Sequence, residues 1–268
     1  MKSLQLQVFK MKGEVPMEYG YLAKIYDHLM GDVDYGQWTD YIEHFLEKNL
    51  ISKSDPILEL ACGTGNITIP LSKRGYKLTA IDRSTDMLSQ AQLKAGSCNL
   101  DVQFYQQDML NLEIKQQYSS ILCLCDGINY IIDPEDLRNF LQKIYSLLKE
   151  GGLFIFDISS FYKLKEILGE NTYGEDLDNI TYLWENYYCP QEEIIEMDLT
   201  FFHENGNGLY EKHKEFHVQK AYRQEKLHSE LKRAGFSSIE IYHELSFYPP
   251  KEDSQRIFFL CTKQKATR

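Results

Sequence analysis

No cysteine pair at the Cys-x-x-Cys spacing of zinc and redox sites occurs in the 268 residues, although six cysteines are present. No histidine spacing completes a zinc site either. Cys62, Cys123, Cys125 and Cys261 sit in apolar, strand-like runs or at their ends, where reduced thiols act as small core residues of a protein kept in a reducing compartment. No apolar run reaches membrane-spanning length, and the opening MKSLQLQVFKMKGEVPM lacks the continuous apolar stretch of a signal peptide. Residues 1–17 therefore read as a loose tail, and a cytoplasmic location is expected. A basic cluster is also missing. Lys and Arg number 29 against 40 Asp and Glu, a net charge of -11. Such a chain repels phosphate backbones, so nucleic-acid partners are disfavoured and the charge serves solubility.

What the chain does have is a core. Apolar residues make up 43% and charged residues 26%, ordinary for a soluble domain, and 19 Tyr and 14 Phe supply packing or pocket walls. Helical spacing of apolar residues predicts helices over 18–30 and 37–49. Strands and helices then alternate. Strands are expected at 56–61, 76–81, 102–106, 119–124 and 153–158, and helices at 66–74, 84–95 and 134–148. Ser84 is an N-cap candidate, Pro134 suits a first turn, and Gly151-Gly152 is read as the stop of the last of these helices. Nearly uniform apolar strands alternating with helices predict a parallel sheet with helices on both faces. After residue 158 the pattern changes to mixed strands at 180–188, 194–203 and 209–218, with Asn205-Gly206-Asn207-Gly208 as a hairpin turn. An antiparallel β insertion over about 171–220 is expected. A helix at 223–234 and strands at 238–247 and 257–262, joined by a loop, close the chain with an antiparallel pairing.

Three strand ends carry candidate chemistry. Glu59-Leu-Ala61-Cys-Gly63-Thr-Gly65 lies where the first strand turns into a helix, and glycines there let a ligand approach the backbone. The third glycine of a dinucleotide fingerprint would fall at Thr68, which argues against a nicotinamide enzyme. Glu59 suits a ligand carrying an ammonium or sulfonium charge. Asp82 ends the second strand, where a carboxylate accepts from a ribose diol or caps the following helix. Asp108 follows the third strand and suits an exocyclic adenine amine, with the Met109 N–H and the Met87 side chain framing the ring. Core packing is the other reading of Met87.

These stations, with CDGINY after strand four and GGLFIFDI for strand five, make the sequence resemble class I S-adenosylmethionine-dependent methyltransferases from about Tyr19 to the C-terminus. The resemblance implies an α/β, Rossmann-like, seven-stranded sheet of order 3-2-1-4-5-7-6 with strand 7 antiparallel. It also implies S-adenosylmethionine as cofactor. Gly63 and Gly65 would meet its methionyl part, Asp82 the ribose, Asp108 and Met109 the adenine, with Ala61 and Cys125 beside it. A narrower resemblance in YLAKIYD and DVDYGQW is to glycine N-methyltransferases and amino-sugar N,N-dimethyltransferases. It implies that 18–50 closes over the site within a domain spanning 18–268, that Tyr26 and Trp38 reach the methionyl end, and that Tyr19 is a pocket residue. The Asn/Asp-Pro-Pro-Tyr signature of nucleobase and glutamine-amide enzymes is absent, and Tyr130 stands about where the amino-sugar branch has a histidine. Tyr130 orients a nucleophile or merely packs. Asn129 and Asp157 are further candidates for the substrate side. His213 and His217 share one face of a strand with Glu215 between them, to serve substrate binding, with His217 as the pocket candidate, or proton removal, or simply to meet solvent. No metal site is expected. The expected activity is in-line methyl transfer to a small-molecule N or O nucleophile by a monomer or homodimer. RNA or protein methylation and a non-catalytic cofactor-binding regulator are the alternatives.

Overall fold

A computed structural model describes residues 20–265, so the expected tail and Tyr19 lie outside the described residues. Helices α1 (Leu22–Leu29) and α2 (Tyr35–Lys48) come first, then β1 (Pro56–Leu60), α3 (Thr68–Lys73), β2 (Lys77–Asp82) and α4 (Thr85–Ser97). β3 (Gln103–Gln106), β4 (Tyr118–Cys123), α5 (Pro134–Leu147) and β5 (Leu148–Ser159) complete the alternating part. Helix starts follow the available caps. Asp34 accepts from the Gln37 N–H at 3.0 Å, Ser84 from Met87 at 3.2 Å, and Asp133 from Glu135 at 2.7 Å just before Pro134. In α5, Leu137, Phe140, Leu141, Ile144 and Leu147 recur at helical spacing and are all buried. Each such burial stabilises the fold by about 1.5–3 kcal/mol over exposure.

The seven-stranded sheet runs β3-β2-β1-β4-β5-β11-β10, with β10 (Ser238–His243) and β11 (Arg256–Thr262). β11 pairs antiparallel with both β5 and β10, while β1 to β5 pair in parallel. This is the order expected from the sequence. The loop joining the last two strands carries no helix to serve as a crossover, and the two strands pair antiparallel. α5 and α6 (Gln224–Ala234) pack on one face with Leu58, Ile121 and Phe156; α2 and α3 pack on the other with Ile57, Leu122 and Ile155. Among the described residues no helix is long and apolar enough to cross a membrane.

The second sheet is antiparallel, β6 (Thr172–Leu177), β7 (Ile180–Cys189), β8 (Ile194–Glu204) and β9 (Tyr210–Lys220) in that order. β6 is absent from the sequence reading because Thr-Tyr-Gly-Glu-Asp-Leu is polar and carries a glycine; it is held by pairing with β7 from Thr172↔Glu185 to Leu177↔Ile180. The hairpin at 205–208 joins β8 to β9 as expected, with Gly206 and Gly208 at φ +80° and +72°. Gly151-Gly152 does not stop α5. The chain is already extended at Leu148, which pairs with Tyr118, and the register shifts before Ser120 meets Leu153.

α1 packs on the second sheet through Leu22 and Ile25 against Ile180 and Phe201. It is pinned to the turn after β1 by Asp27, whose carboxylate accepts from Thr64 at 2.6 Å, Asn66 at 3.0 Å and Lys94 at 2.7 Å. Burial pulls this carboxyl upward, but the bonds from Lys94, Thr64 and Asn66 and the Lys94 charge hold it below the ordinary carboxylate range.

Candidate active site

The parallel strands β1, β2 and β4 end at one edge, and the loops after them open a cleft of about 650 Å³, a size suited to small-molecule ligands. Gly63 and Gly65 divide their work there. Gly63 lines the cleft at φ +54° with open space at its Cβ position, and its N–H donates to Asp82 Oδ2 at 2.8 Å. Gly65, at φ +79°, sits away from the cleft lining. A Cβ on it would lie 3.3 Å from the Ala91 methyl, so this glycine lets α4 approach rather than a ligand. Gly65→Ala is therefore expected to cost about 1–2 kcal/mol of stability through backbone strain, read as a lowered urea midpoint. An unchanged midpoint would show that neither the φ of +79° nor the Ala91 contact requires a glycine here.

Asp82 is buried and is not the helix cap; Ser84 is. Its Oδ1 accepts from the Ser84 N–H at 2.8 Å, which leaves each carboxylate oxygen with a lone pair for a ligand. Burial raises this carboxyl, against the lowering pull of the Ser84 and Gly63 N–H groups. Asp108 faces the cleft on a turn closed by Leu110 N–H donating to Oδ1 at 2.9 Å, and Met109 and Met87 line the cleft beside it. Met87 is also buried in the packing of α4, so both of its readings hold. Ala61 lines the cleft at φ +50°.

Glu59 lies at the cleft floor, buried, with the Thr68 hydroxyl donating to it at 2.5 Å. Burial, opposed by that bond and aided by Asp82, pushes its carboxyl up to about 8. A site that holds an acid neutral at pH 7 is suited to a cationic ligand that restores the charge.

The loop after β4 is the strained part. Cys125 and Asp126 take left-handed φ of +57° and +55°, a conformation that costs a non-glycine residue energy. Both of their N–H groups donate to Asp157, at 2.7 and 3.0 Å. Asp157 is fully buried and absent from the cleft lining, so it clamps this loop instead of facing the substrate mouth. Arg256 bonds Asp157, reaches Asp126 at 2.8 Å, and lies over the Trp38 ring at 5.3 Å. Burial raises Asp157 to about 6, with Arg256 pulling down and Asp126 pushing up. Asn129 is likewise structural. Its side chain donates to Ser159 O and Lys220 O at 3.0 and 2.9 Å and accepts from Ser159 N–H at 3.0 Å, tying the two ends of the insertion together. With these bonds satisfied, it is absent from the cleft lining.

Tyr26 from α1, Trp38 from α2, Cys125 and Tyr130 line the far end of the cleft, with Met197, His217 and Gln219 of the second sheet. Burial pushes the Tyr26 phenol well up, helped by Cys125, Tyr35 and Asp126. His217 is buried, not solvated: Tyr130 packs against its ring, and the start of α1 reaches the neighbouring Glu215. Its Nδ1 lies 3.4 Å from the Tyr130 hydroxyl, and its Nε2 lies 3.4 Å from Glu215 Oε2. Arg256, Trp184 and Gln219 escaped the sequence reading. The available signal for Arg256 was a lone cation opening an apolar strand, and for Trp184 and Gln219 the alternation of their strands.

Residues 57–152 match the model of a methyltransferase domain. A protein of Geobacillus sp. (strain WCH70), provisionally named a methyltransferase, is 34% identical over 92% of this chain and 100% of its own length. The crystal structure of an S-adenosylmethionine-dependent methyltransferase from Clostridium acetobutylicum superposes with a TM-score of 0.84 at 36% identity, covering 92% of this chain and 99% of that one. A glycine/sarcosine N-methyltransferase from Halorhodospira halochloris is 24% identical over 90% of each chain. Identity above 30% over nearly the full length of two methyltransferases shows the family, and the chain belongs to the S-adenosylmethionine-dependent methyltransferases.

Proposed function

We propose that this methyltransferase acts on a small-molecule nitrogen or oxygen nucleophile seated at the far end of the cleft. The observation that carries this reading is one cleft of about 650 Å³ whose lining includes Asp82 and Asp108 together with Tyr130 and His217. When bound, S-adenosylmethionine supplies a methyl group on a sulfonium whose leaving group is a neutral thioether. The residues fit it. Asp82 offers carboxylate lone pairs to a ribose diol, and Asp108 with the Met109 N–H meets adenine while Met87 packs on the ring. Gly63 and Ala61 leave space for the methionyl chain, and Glu59 awaits a cation. Tyr26, Trp38 and Cys125 wall the reacting end, under a lid made by 18–50 and the inserted sheet of 171–220.

Those walls align the acceptor and exclude water, and such positioning accounts for much of the acceleration in a displacement of this kind. The relative named for glycine and sarcosine supports a small acceptor. The net charge of -11 works against a nucleic-acid one. Calorimetric titration tests the cofactor half. Asp82→Ala is expected to weaken S-adenosylmethionine binding by about 1–3 kcal/mol, roughly 5- to 150-fold, with the fold checked by circular dichroism. Equal affinity in the variant would remove the ribose assignment. Labelled methyl transfer to a panel of amines, amino acids and phenols tests the acceptor half, and transfer only to protein or RNA would overturn it.

A further inference from the structure

β9 places three titratable side chains in a row on its inward face, and each stands opposite an apolar residue of β8. His213 pairs with Phe201, Glu215 with Leu199, and His217 with Met197. A buried histidine–carboxylate pair in such surroundings costs desolvation energy that an apolar pair would not. Packing alone does not explain it.

The hydrogen bonds give the row a direction. Glu215 Oε1 accepts the Leu22 N–H at 2.8 Å, one of the donors left open at the first turn of α1. That fixes the carboxylate and leaves Oε2 3.4 Å from His217 Nε2, a charge contact that falls short of hydrogen-bond geometry. A carboxylate only accepts, and its charge favours the hydrogen of a neutral His217 ring on Nε2. Nδ1 then carries the lone pair, and the group facing it is the Tyr130 hydroxyl, at 3.4 Å. Tyr130 therefore donates to His217, and it lines the cleft.

We infer that Tyr130, His217 and Glu215 form a proton relay, and that the acceptor is a hydroxyl compound, phenolic or otherwise apolar in body. This rests on the methyltransferase reading above and narrows its acceptor. A neutral amine attacks first and sheds its proton later, so it has no use for a buried proton sink. A hydroxyl must lose its proton as its oxygen becomes nucleophilic. In the step, the acceptor O–H proton passes to the Tyr130 oxygen while the Tyr130 proton passes to His217 Nδ1. The acceptor oxygen forms the bond to the methyl carbon, the carbon–sulfur bond breaks, and its electron pair stays on sulfur. His217 is left as an imidazolium beside the Glu215 carboxylate and returns its proton to water when product leaves. Trp184, Met197 and Leu199 line this end and suit an apolar body. The relay exists only while α1 is docked, because Leu22 holds Glu215.

Glu215→Gln separates this from a structural role. Its amide oxygen still accepts from Leu22, but its NH₂ now faces Nε2, which forces the hydrogen to Nδ1 and turns the ring against Tyr130, as an asparagine does in a serine-protease triad. Nitrogen-15 imidazole spectra, with the His217 signal assigned through His217→Gln, read the tautomer without any acceptor. The expected result is Nε2–H in the native chain and Nδ1–H in Glu215→Gln. Nδ1–H in the native chain, or no change in the variant, would overturn the relay. With the labelled panel, methyl is expected on hydroxyl compounds, with kcat lowered about 100-fold in both Glu215→Gln and Tyr130→Phe and S-adenosylmethionine affinity unchanged within about twofold. Methyl transfer to amines at equal rates in native and variant chains sinks the relay but leaves the methyltransferase reading standing. Failure of the native chain to bind S-adenosylmethionine sinks that reading instead, whatever the tautomer.

Discussion

Asp157→Ala is expected to lower folding stability by about 3–5 kcal/mol, the loss typical of breaking a buried ion pair from one side. The substitution strips Arg256 of one carboxylate and leaves the Cys125 and Asp126 N–H groups without their acceptor. Those two residues stand in left-handed conformations that this clamp helps to hold, with Arg256 and Gln219 on the Asp126 carboxylate. The urea midpoint should fall sharply, and the far end of the cleft should loosen with it. Asp157→Asn keeps one oxygen acceptor and the volume, so its loss should be smaller, about 1–3 kcal/mol. A midpoint unchanged in the alanine variant would show that the Arg256 cluster does not hold the loop. The pH dependence has a definite sign. The folded state raises this carboxyl from the ordinary 3.8 to about 6, so the folded chain binds the proton more tightly than the unfolded one. Its contribution is greatest below about pH 4, declines as pH rises to about 6, and is level above that. The stability difference between the native chain and Asp157→Asn should therefore shrink over that window.

Much of this fold is written in local pattern. Apolar runs bounded by glycines and prolines mark β1, β2, β4 and β5, and a closing pair with a loop between them dictates an antiparallel β11. The cleft-lining residues Gly63, Asp82 and Asp108 are readable for the same reason, since in an open parallel sheet the ends of neighbouring strands converge. What failed was everything decided by covering and long-range charge. Alternation put His213, Glu215 and His217 on one face of β9, but the docking of α1 makes that face interior, and nothing in residues 209–218 announces α1. Asp157 was read as open to substrate because it ends a strand. Its partner Arg256 lies 99 positions on, and only the fold brings the two together. Gly63 and Gly65 look equivalent in a Gly-x-Gly motif. One meets the cleft and the other meets Ala91, a distinction of packing that the spacing does not contain.

Glu59 yields the other large effect, and it couples stability to the cofactor. Burial raises this carboxyl from 4.5 to about 8, so the folded chain again binds its proton more tightly than the unfolded one. Stability contributed by Glu59 is then present below about pH 4.5 and lost as pH rises toward 8, with about 3 kcal/mol gone at pH 7. Glu59→Gln has no proton to lose, and urea midpoints across pH 5–8 should show the native chain falling away from the variant. In the proposed complex a cationic cofactor beside Glu59 reverses the situation, because an adjacent positive charge favours the carboxylate. S-adenosylmethionine binding at pH 7 should then release about one proton, measured by calorimetry in two buffers of different ionisation enthalpy. The glutamine variant should release none and bind more weakly. Equal proton release from both chains would place the cation elsewhere, and equal affinity would leave Glu59 a buried acid serving only Thr68. In the proposed complex, the same charge that costs the unliganded protein stability is what favours a sulfonium ligand over a neutral one.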